Sequence, residues 1–361
     1  MTVTTPAVAS EFVALLEDVL GRHRPDPSRP GGEFDRALWE LLDDLGLVRL
    51  SGSEAGGGSG AGWHDAAALH EQVAAHGIQL PLVEHDLLAG WLLEQLGTTA
   101  LDGVLTLGRV DRDGTARGVP WAEVADHIVL VREDGSGNGA GTAVVVTPAE
   151  VAITSGRNLA GEPRDVIAGT DTAVGAALNI PADILTSLHR RAALIRAVQV
   201  CGALDAAVES TARHVSERIQ FGRPLAKFQT VQHAIADAAA ETALARAATQ
   251  AAVDDAVASD FLDGGLTVSI AAARSCAGHA SSLVVRAAHQ LHGALGTTRE
   301  HALHLVTVPA LAWINEYGTV AEFDRVLTRA ALAAESGPFQ SHGGVWDLAV
   351  SSRPPSATSG R

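Results

Sequence analysis

Apolar residues recur at three- and four-residue steps through most of the first hundred positions, beginning with Phe12, Leu15, Leu16, Val19 and Leu20. That period predicts amphipathic helices, with further segments over 33–48, 63–76 and 82–96. The stretch SGSEAGGGSGAG at 51–62 separates two of them, so residues 1–100 read as a helical N-terminal domain. From 101 to 181 the pattern shortens to β-branched runs, HIVLV at 127–131, TAVVVT at 142–147 and AVGAALNIP at 173–181, divided by Gly, Asp and Asn. These predict a middle β-domain, with GSGNGAG at 135–141 as a hairpin or surface loop. The helical period then returns in long stretches, 183–217, 226–258, 262–295 and 298–316, broken at FGRP, DGG and GTT. Long antiparallel helices predict a C-terminal four-helix bundle over 182–336, followed by a loose Gly-, Ser- and Pro-rich tail over 337–361. A helix over 183–217 runs roughly 50 Å at 1.5 Å per residue, longer than such a domain is wide, so its ends are expected to pack on a neighbouring subunit. The predicted fold class is α+β, mostly α.

At 361 residues the chain can bury a large core spread over two or three domains. Its 26 Lys and Arg against 42 Asp and Glu give a formal charge of -16, and no basic stripe is visible, which argues against nucleic acid as a partner. No run reaches the roughly eighteen apolar residues of a membrane span. The N-terminus lacks a basic segment leading into an apolar core, and Glu11, Glu17 and Asp18 interrupt it, so a cytoplasmic location is expected. Cys201 and Cys276 lie far apart within helical patterns and read as small buried side chains. The G-x-G spacing in 51–62 follows a helix rather than a strand, which disfavours a dinucleotide-binding βαβ unit. His301 and His304 could share a helix face as metal ligands, but no carboxylate precedes a histidine as E-x-x-H, so a di-iron bundle fails on spacing.

The most informative segment is RIQFGRPLAKFQ, Arg218 to Gln229, between two bundle helices. Arg218 supplies a charge-assisted donor set for a pyrophosphate, while Gly222 and Pro224 end the helix and let the chain turn. Phe221 offers an apolar face to a flavin or adenine ring, and Gln229 and Gln290 can hydrogen-bond phosphate, ribose or ring atoms. Gly293 leaves room for close approach. The plainer alternative is a surface helix-end charge with solvated glutamines.

The same segment resembles the acyl-CoA dehydrogenase signature R-x-x-F-G-x-x-[LI]-x-x-[FH]-Q, matched without a gap at Arg218, Phe221, Gly222, Leu225, Phe228 and Gln229. QLHGALGTTRE, Gln290 to Glu300, resembles the family's Q-x-x-G-G-x-G-[FY]-x-x-E and departs from it at Ala294. Counting onward brings the family's E-G-T motif onto Tyr317, Gly318 and Thr319. The resemblance implies an FAD cofactor, contacted by Arg218, Phe221, Gln229, Gln290, Gly293 and Thr319. The first five of these would reach the FAD held by a neighbouring subunit, so that oligomer formation through the bundle and cofactor binding are one event. It further implies an acyl-CoA thioester substrate whose α-proton goes to a carboxylate base while the β-hydrogen leaves as hydride. His233 and His292 lie inside the matched motifs and would line a cavity or simply pack.

Two departures qualify that activity. The family's base sits just before the G-T of the E-G-T motif, or alternatively early in the first bundle helix; the corresponding residues here are Tyr317 and Ala192. Tyrosine's ordinary pKa of about 10 makes it a poor base at neutral pH, and Glu316, the adjacent carboxylate, is turned about 100° away on a helix. The family's T-E-P-x-x-G-S-D loop is also missing: the chain runs from TLGRVDRDG to GVPWAEVADHIVLV, in which Trp121 falls either near the flavin or in the core. The reading that follows is an FAD-binding subunit of a heteromeric acyl-CoA dehydrogenase, with a second subunit of the family supplying the base. Paired dehydrogenases of this family act on bulky acyl-CoA thioesters including steroid side chains. The alternatives are a self-sufficient dehydrogenase using Glu316, and a flavin-free scaffold subunit.

Overall fold

The computed structural model describes residues 8, 10–29, 31–98, 101–135, 139–170 and 177–335. The expected tail over 337–361 lies outside them, as do 136–138 of the expected hairpin and 171–176, which hold part of the 173–181 run.

The N-terminal part forms the predicted helices α1 (Ser10–Gly21), α2 (Arg36–Asp44) and α3 (Trp63–Ala75), and a π-helical segment, Val83–Gly90, that leads into α4 (Trp91–Gln95). Helix α2 starts where the Asp35 carboxylate accepts the Leu38 N–H at 3.0 Å and buries Leu38, Trp39 and Leu42. The π-helical segment is buried throughout, including Glu84, His85 and Asp86. Widened turns of this kind are frequent at functional sites.

The β-domain is a seven-stranded sheet in the order β5-β6-β2-β1-β3-β4-β7. Its strands are β1 (Leu105–Val110), β2 (Ala116–Pro120), β3 (His127–Glu133), β4 (Gly141–Val146), β5 (Ala152–Thr154), β6 (Arg164–Ala168) and β7 (Leu178–Ile180). Strand β3 is buried continuously over Ile128–Val131, as a central strand covered on both faces must be. It pairs parallel with β1, from Leu105↔His127 to Val110↔Arg132. Strand β1 turns directly into β2, where the Asp111 N–H donates to the Thr115 carbonyl at 2.8 Å, and Arg117 pairs with Asp111 and Asp113 across the turn. Trp121 takes a left-handed φ of 55 and is buried, with its ring edge-on to Phe34 at 6.1 Å. It is a core residue.

The bundle consists of α5 (Ala182–Glu217), α6 (Gln229–Ser259), α7 (Leu266–His292), α8 (His304–Trp313) and α9 (Val320–Glu335). The ends differ from the sequence pattern chiefly after α7, because Gly293 takes φ 63 and stops the helix before Leu295. Helix α5 is buried on all sides from Arg191 to Leu204, so it is the axis around which the other parts pack. Its Gly202 lies against α3 so closely that a Cβ would fall 2.2 Å from the Glu71 carbonyl oxygen. Helix α6 instead buries one stripe, Ala238, Thr242, Ala245, Thr249, Ala252 and Ala256, at alternating four- and three-residue steps. Cys201 and Cys276 are free, and the Cys201 thiol lies 3.4 Å from the Thr249 hydroxyl, as expected of packed side chains. One apolar core runs from Trp63 and Leu87 through Leu105 and Val129 to Ile195 and Val284, tying the three parts together.

Candidate active site

After Trp313, helix α8 leaves carbonyls without helical partners, and Arg274 of α7 collects them. Its Nη1 donates to the Trp313 carbonyl at 3.4 Å, and its Nη2 to those of Ile314, Glu316 and Gly318 at 3.0, 2.9 and 2.9 Å. The chain then reverses through Tyr317 at φ 55 and Gly318 at φ 115. Thr319 restarts it as a capping box: its N–H and hydroxyl donate to Glu322 Oε2 at 2.7 and 3.0 Å.

This reversal closes one side of a cavity of about 630 Å³, within the ordinary size range of small-molecule sites. Its walls come from β1, β2, β3, α5 and the 315–319 turn, and both Ala192 and Tyr317 line it. The two positions matched to the family's base therefore face one space, and neither offers a carboxylate. Leu88, Leu107, Pro120, Val131 and Leu188 give it apolar walls.

Glu316 also reaches this space, but as one member of a buried ionic network. Arg164 Nε and Nη2 bond its two oxygens at 2.8 and 3.0 Å, Arg196 Nη2 approaches at 2.9 Å, and the Asn158 amide donates at 3.1 Å. Arg196 also pairs with Glu84 at 2.8 Å, and Arg164 with Glu162 at 3.2 Å; Glu162 in turn accepts the Trp313 indole N–H at 2.9 Å. Burial pushes the Glu316 pKa up, yet the Arg196 and Arg164 charges and the Arg164 bonds outweigh it and hold it down to about 2. A carboxylate held this firmly in its ionised form is a poor proton acceptor at pH 7. Tyr317 moves the other way: burial and the Glu84 charge push its phenol well above the ordinary value, against the opposing pull of Arg196. Its hydroxyl lies 3.5 Å from Glu84 Oε1, and the Arg196 guanidinium sits 5.2 Å from its ring.

The residues expected to grip a dinucleotide gather at the far end of the bundle. Arg218 caps α5, Gln229 opens α6, and Gln290 and Gly293 close α7. The α5 and α7 ends meet where His214 stacks on His292 at 4.3 Å, with His301 edge-on at 4.8 Å. Between α5 and α6 the chain forms a two-residue hairpin, β8 (Ile219–Gln220) with β9 (Arg223–Pro224), turning through Phe221 at φ 53 and Gly222 at φ 78. Phe221 is 88% exposed, Arg218, Gln229 and Gln290 are exposed, and no atom lies within 4 Å of where a Cβ on Gly222 or Gly293 would sit. An apolar ring, an unpaired guanidinium and two free amides around open backbone fit a flat, doubly charged ligand such as FAD. Thr319 is not with them but at the cavity. Of the two histidines inside the motifs, His292 packs in the ring stack and His233 is exposed. From Ala192 to Arg218 is 26 residues of helix, roughly 40 Å. The motif and the cavity of one chain therefore stand too far apart to hold the same end of one ligand.

The network residues Glu84, Glu162, Arg164 and Arg196 are missed by motif reading. For Glu84 and Arg196 the available signal is charge inside the apolar runs LPLVEHDLLAGWLL and AALIRAVQVCGAL, since a buried charge requires a partner.

Among family models, the acyl-CoA dehydrogenase C-terminal domain matches residues 183–313 and the N-terminal domain residues 6–102. The chain belongs to the acyl-CoA dehydrogenase family, whose members oxidise acyl-CoA substrates. It is 26% identical over 347 residues to the acyl-CoA dehydrogenase FadE27 of Mycobacterium tuberculosis, covering 84% of this chain and 91% of that protein. It is 28% identical over 283 residues to the acyl-CoA dehydrogenase IpdE2 of Mycolicibacterium smegmatis, covering 75% and 80%. A chain of the ChsE4-ChsE5 complex from Mycobacterium tuberculosis superimposes with a TM-score of 0.82 at 23% identity, covering 94% of this chain and 100% of that one. Among the described residues no helix is long and apolar enough to cross a membrane.

Proposed function

We propose that this acyl-CoA dehydrogenase family protein is the FAD-binding subunit of a heteromeric dehydrogenase that forms a 2,3-enoyl-CoA, with the carboxylate base supplied by a second subunit of the family. The observation that carries it is the cavity lining, where Ala192 and Tyr317 occupy both base positions and the adjacent carboxylate, Glu316, is paired with Arg164 and Arg196. The roughly 40 Å between cavity and motif along α5 supports a division of labour between chains. The ChsE4-ChsE5 complex and the Tcur3481-Tcur3483 steroid ACAD, both of this fold and both named as pairs, support the same reading and a bulky substrate such as a steroid acyl-CoA.

In this arrangement Arg218 would hold the FAD pyrophosphate, Gln229 and Gln290 its polar atoms, and Phe221 a ring face. Thr319, at the cavity rim, would contact the flavin of its own cavity. FAD, when bound, supplies the hydride acceptor. The chain's own residues would orient it.

The test is dye-coupled oxidation of acyl-CoA thioesters by the chain alone, by its Glu316→Gln variant, and by the chain co-expressed with a neighbouring acyl-CoA dehydrogenase gene. Activity is expected only in the last. Robust activity of the chain alone that vanishes in Glu316→Gln would overturn the assignment in favour of a self-sufficient enzyme.

A further inference from the structure

Among the titratable side chains that line the cavity, His189 belongs to neither the motifs nor the ionic network. His189 lies on α5 three residues before Ala192, close to one turn, and both line the same space. Its Nε2 sits 3.4 Å from Glu133 Oε1 at the end of β3, and Arg109 of β1 approaches the same oxygen at 3.6 Å. The histidine is half-exposed, with 51% of its side chain accessible, so it meets the cavity rather than the core.

The other ionisable groups lining the cavity are each unsuited to accept a proton at neutral pH. Arg109, Arg117 and Arg164 carry fixed positive charge. Glu316 is clamped by two arginines, and the Tyr317 phenol is held in its protonated form. Glu322 is occupied by the Thr319 N–H and hydroxyl, which lower its pKa. His189 alone among these lining groups offers a neutral lone pair. The Glu133 carboxylate beside Nε2 favours the tautomer that carries its proton there and leaves Nδ1 to accept, and its charge stabilises the imidazolium that forms.

We infer that His189, oriented by Glu133, is a proton acceptor for the α-carbon of an acyl thioester bound in this chain's own cavity. This rests on the proposal that the cavity takes such a thioester. The α C–H bond breaks, its electron pair delocalises onto the thioester oxygen as an enolate, and the proton passes to His189 Nδ1. The step reverses by return of a proton exchanged with solvent. No oxidant is consumed and none is required, because loss and return of the α-proton leave the oxidation state of the thioester unchanged. The activity is therefore α-proton exchange without oxidation.

Burial lowers the His189 pKa, Glu133 opposes this and Arg109 reinforces it, so the ring is neutral at pH 7. Exchange should rise with pH through that pKa and then level off. Phenylacetyl-CoA is the appropriate probe because its aryl ring stabilises the enolate and it has no β-hydrogen to lose. Deuterium uptake at its α-carbon is followed by mass spectrometry in D₂O with the full chain, His189→Asn and Glu133→Gln, and equilibrium dialysis of the same thioester runs alongside. The wild type should exchange well above the buffer rate. His189→Asn should lose about 10²-fold or more while still binding. Glu133→Gln should lower the plateau and move the acid limb to lower pH, because it removes the charge that raises the histidine pKa; a purely structural contact would move neither. Binding without exchange in the wild type, or exchange undiminished in His189→Asn, overturns the role of His189 and leaves the cavity assignment standing. Absence of binding overturns both.

Discussion

Glu316 illustrates how a residue's neighbours rather than its type decide its chemistry. By sequence it stands beside the base position and carries the right functional group. In the fold, two guanidiniums and an amide take its oxygens, so it is a structural counter-ion for Arg164 and Arg196. Removing one partner from a buried ion pair leaves the other charge uncompensated, which typically costs about 3–5 kcal/mol. Glu316→Ala should therefore lower unfolding stability by about that amount, measured by denaturant titration, whereas removal of a solvated carboxylate would leave it nearly unchanged. The pH dependence has a definite sign. A carboxylate whose folded pKa is depressed to about 2 from the ordinary 4.5 contributes stability that is complete above 4.5 and is lost as pH falls toward 2. Over that window the stability of Glu316→Gln should fall less steeply than that of the wild type; parallel curves would show that the network does not hold the carboxylate ionised.

At the scale of elements, the period of apolar residues was enough to recover the three-part order and the long helices, because α1, α3, α5, α6 and α7 each have a face that must be buried. It overextended α7, whose apolar pattern continues to Leu295 although Gly293 turns the backbone out of the helix. It also could not reveal the π-helical turn at Val83–Gly90, since only pairing with Arg196 explains a buried Glu84 there. The gapless motif spacing located Arg218, Gln229 and Gln290, and the fold brings their helix ends together. It could not show that Thr319 sits apart, at the start of α9, because linear spacing carries no information on which end of the bundle a helix begins. On the proposed cofactor role, Arg218→Ala would remove a charge-assisted pyrophosphate contact worth roughly 1.5–3 kcal/mol. Flavin absorbance retained through gel filtration by the purified assembly should fall, while the far-ultraviolet circular dichroism stays unchanged because the side chain is exposed. Full retention would remove Arg218 from the cofactor site.

Across the whole molecule, the bundle presents more apolar surface than one chain consumes. Helix α6 buries a single stripe of small side chains, and Leu244 on its outer side is 55% exposed. At the motif end, Phe221, Ile219 and Leu295 are 88%, 62% and 53% exposed. On the proposed function, these exposed apolar side chains would be covered by a second chain. The length of α5 adds an independent argument for the proposed division between chains, since the motif at its end is roughly 40 Å from the cavity near its start. An interface able to join two such chains stably buries about 1,200–2,000 Å² in total, and its apolar centre would include Phe221. Sedimentation velocity of the purified protein at micromolar concentration is therefore expected to show a dimer or larger species and no stable monomer. Phe221→Asp should shift the distribution toward the mass of one chain, because it places a charge in the centre of the buried patch, and the same shift should accompany loss of bound flavin. A wild-type protein that sediments as a monomer while retaining flavin would mean that one chain completes its own cofactor site, against the separation that α5 imposes.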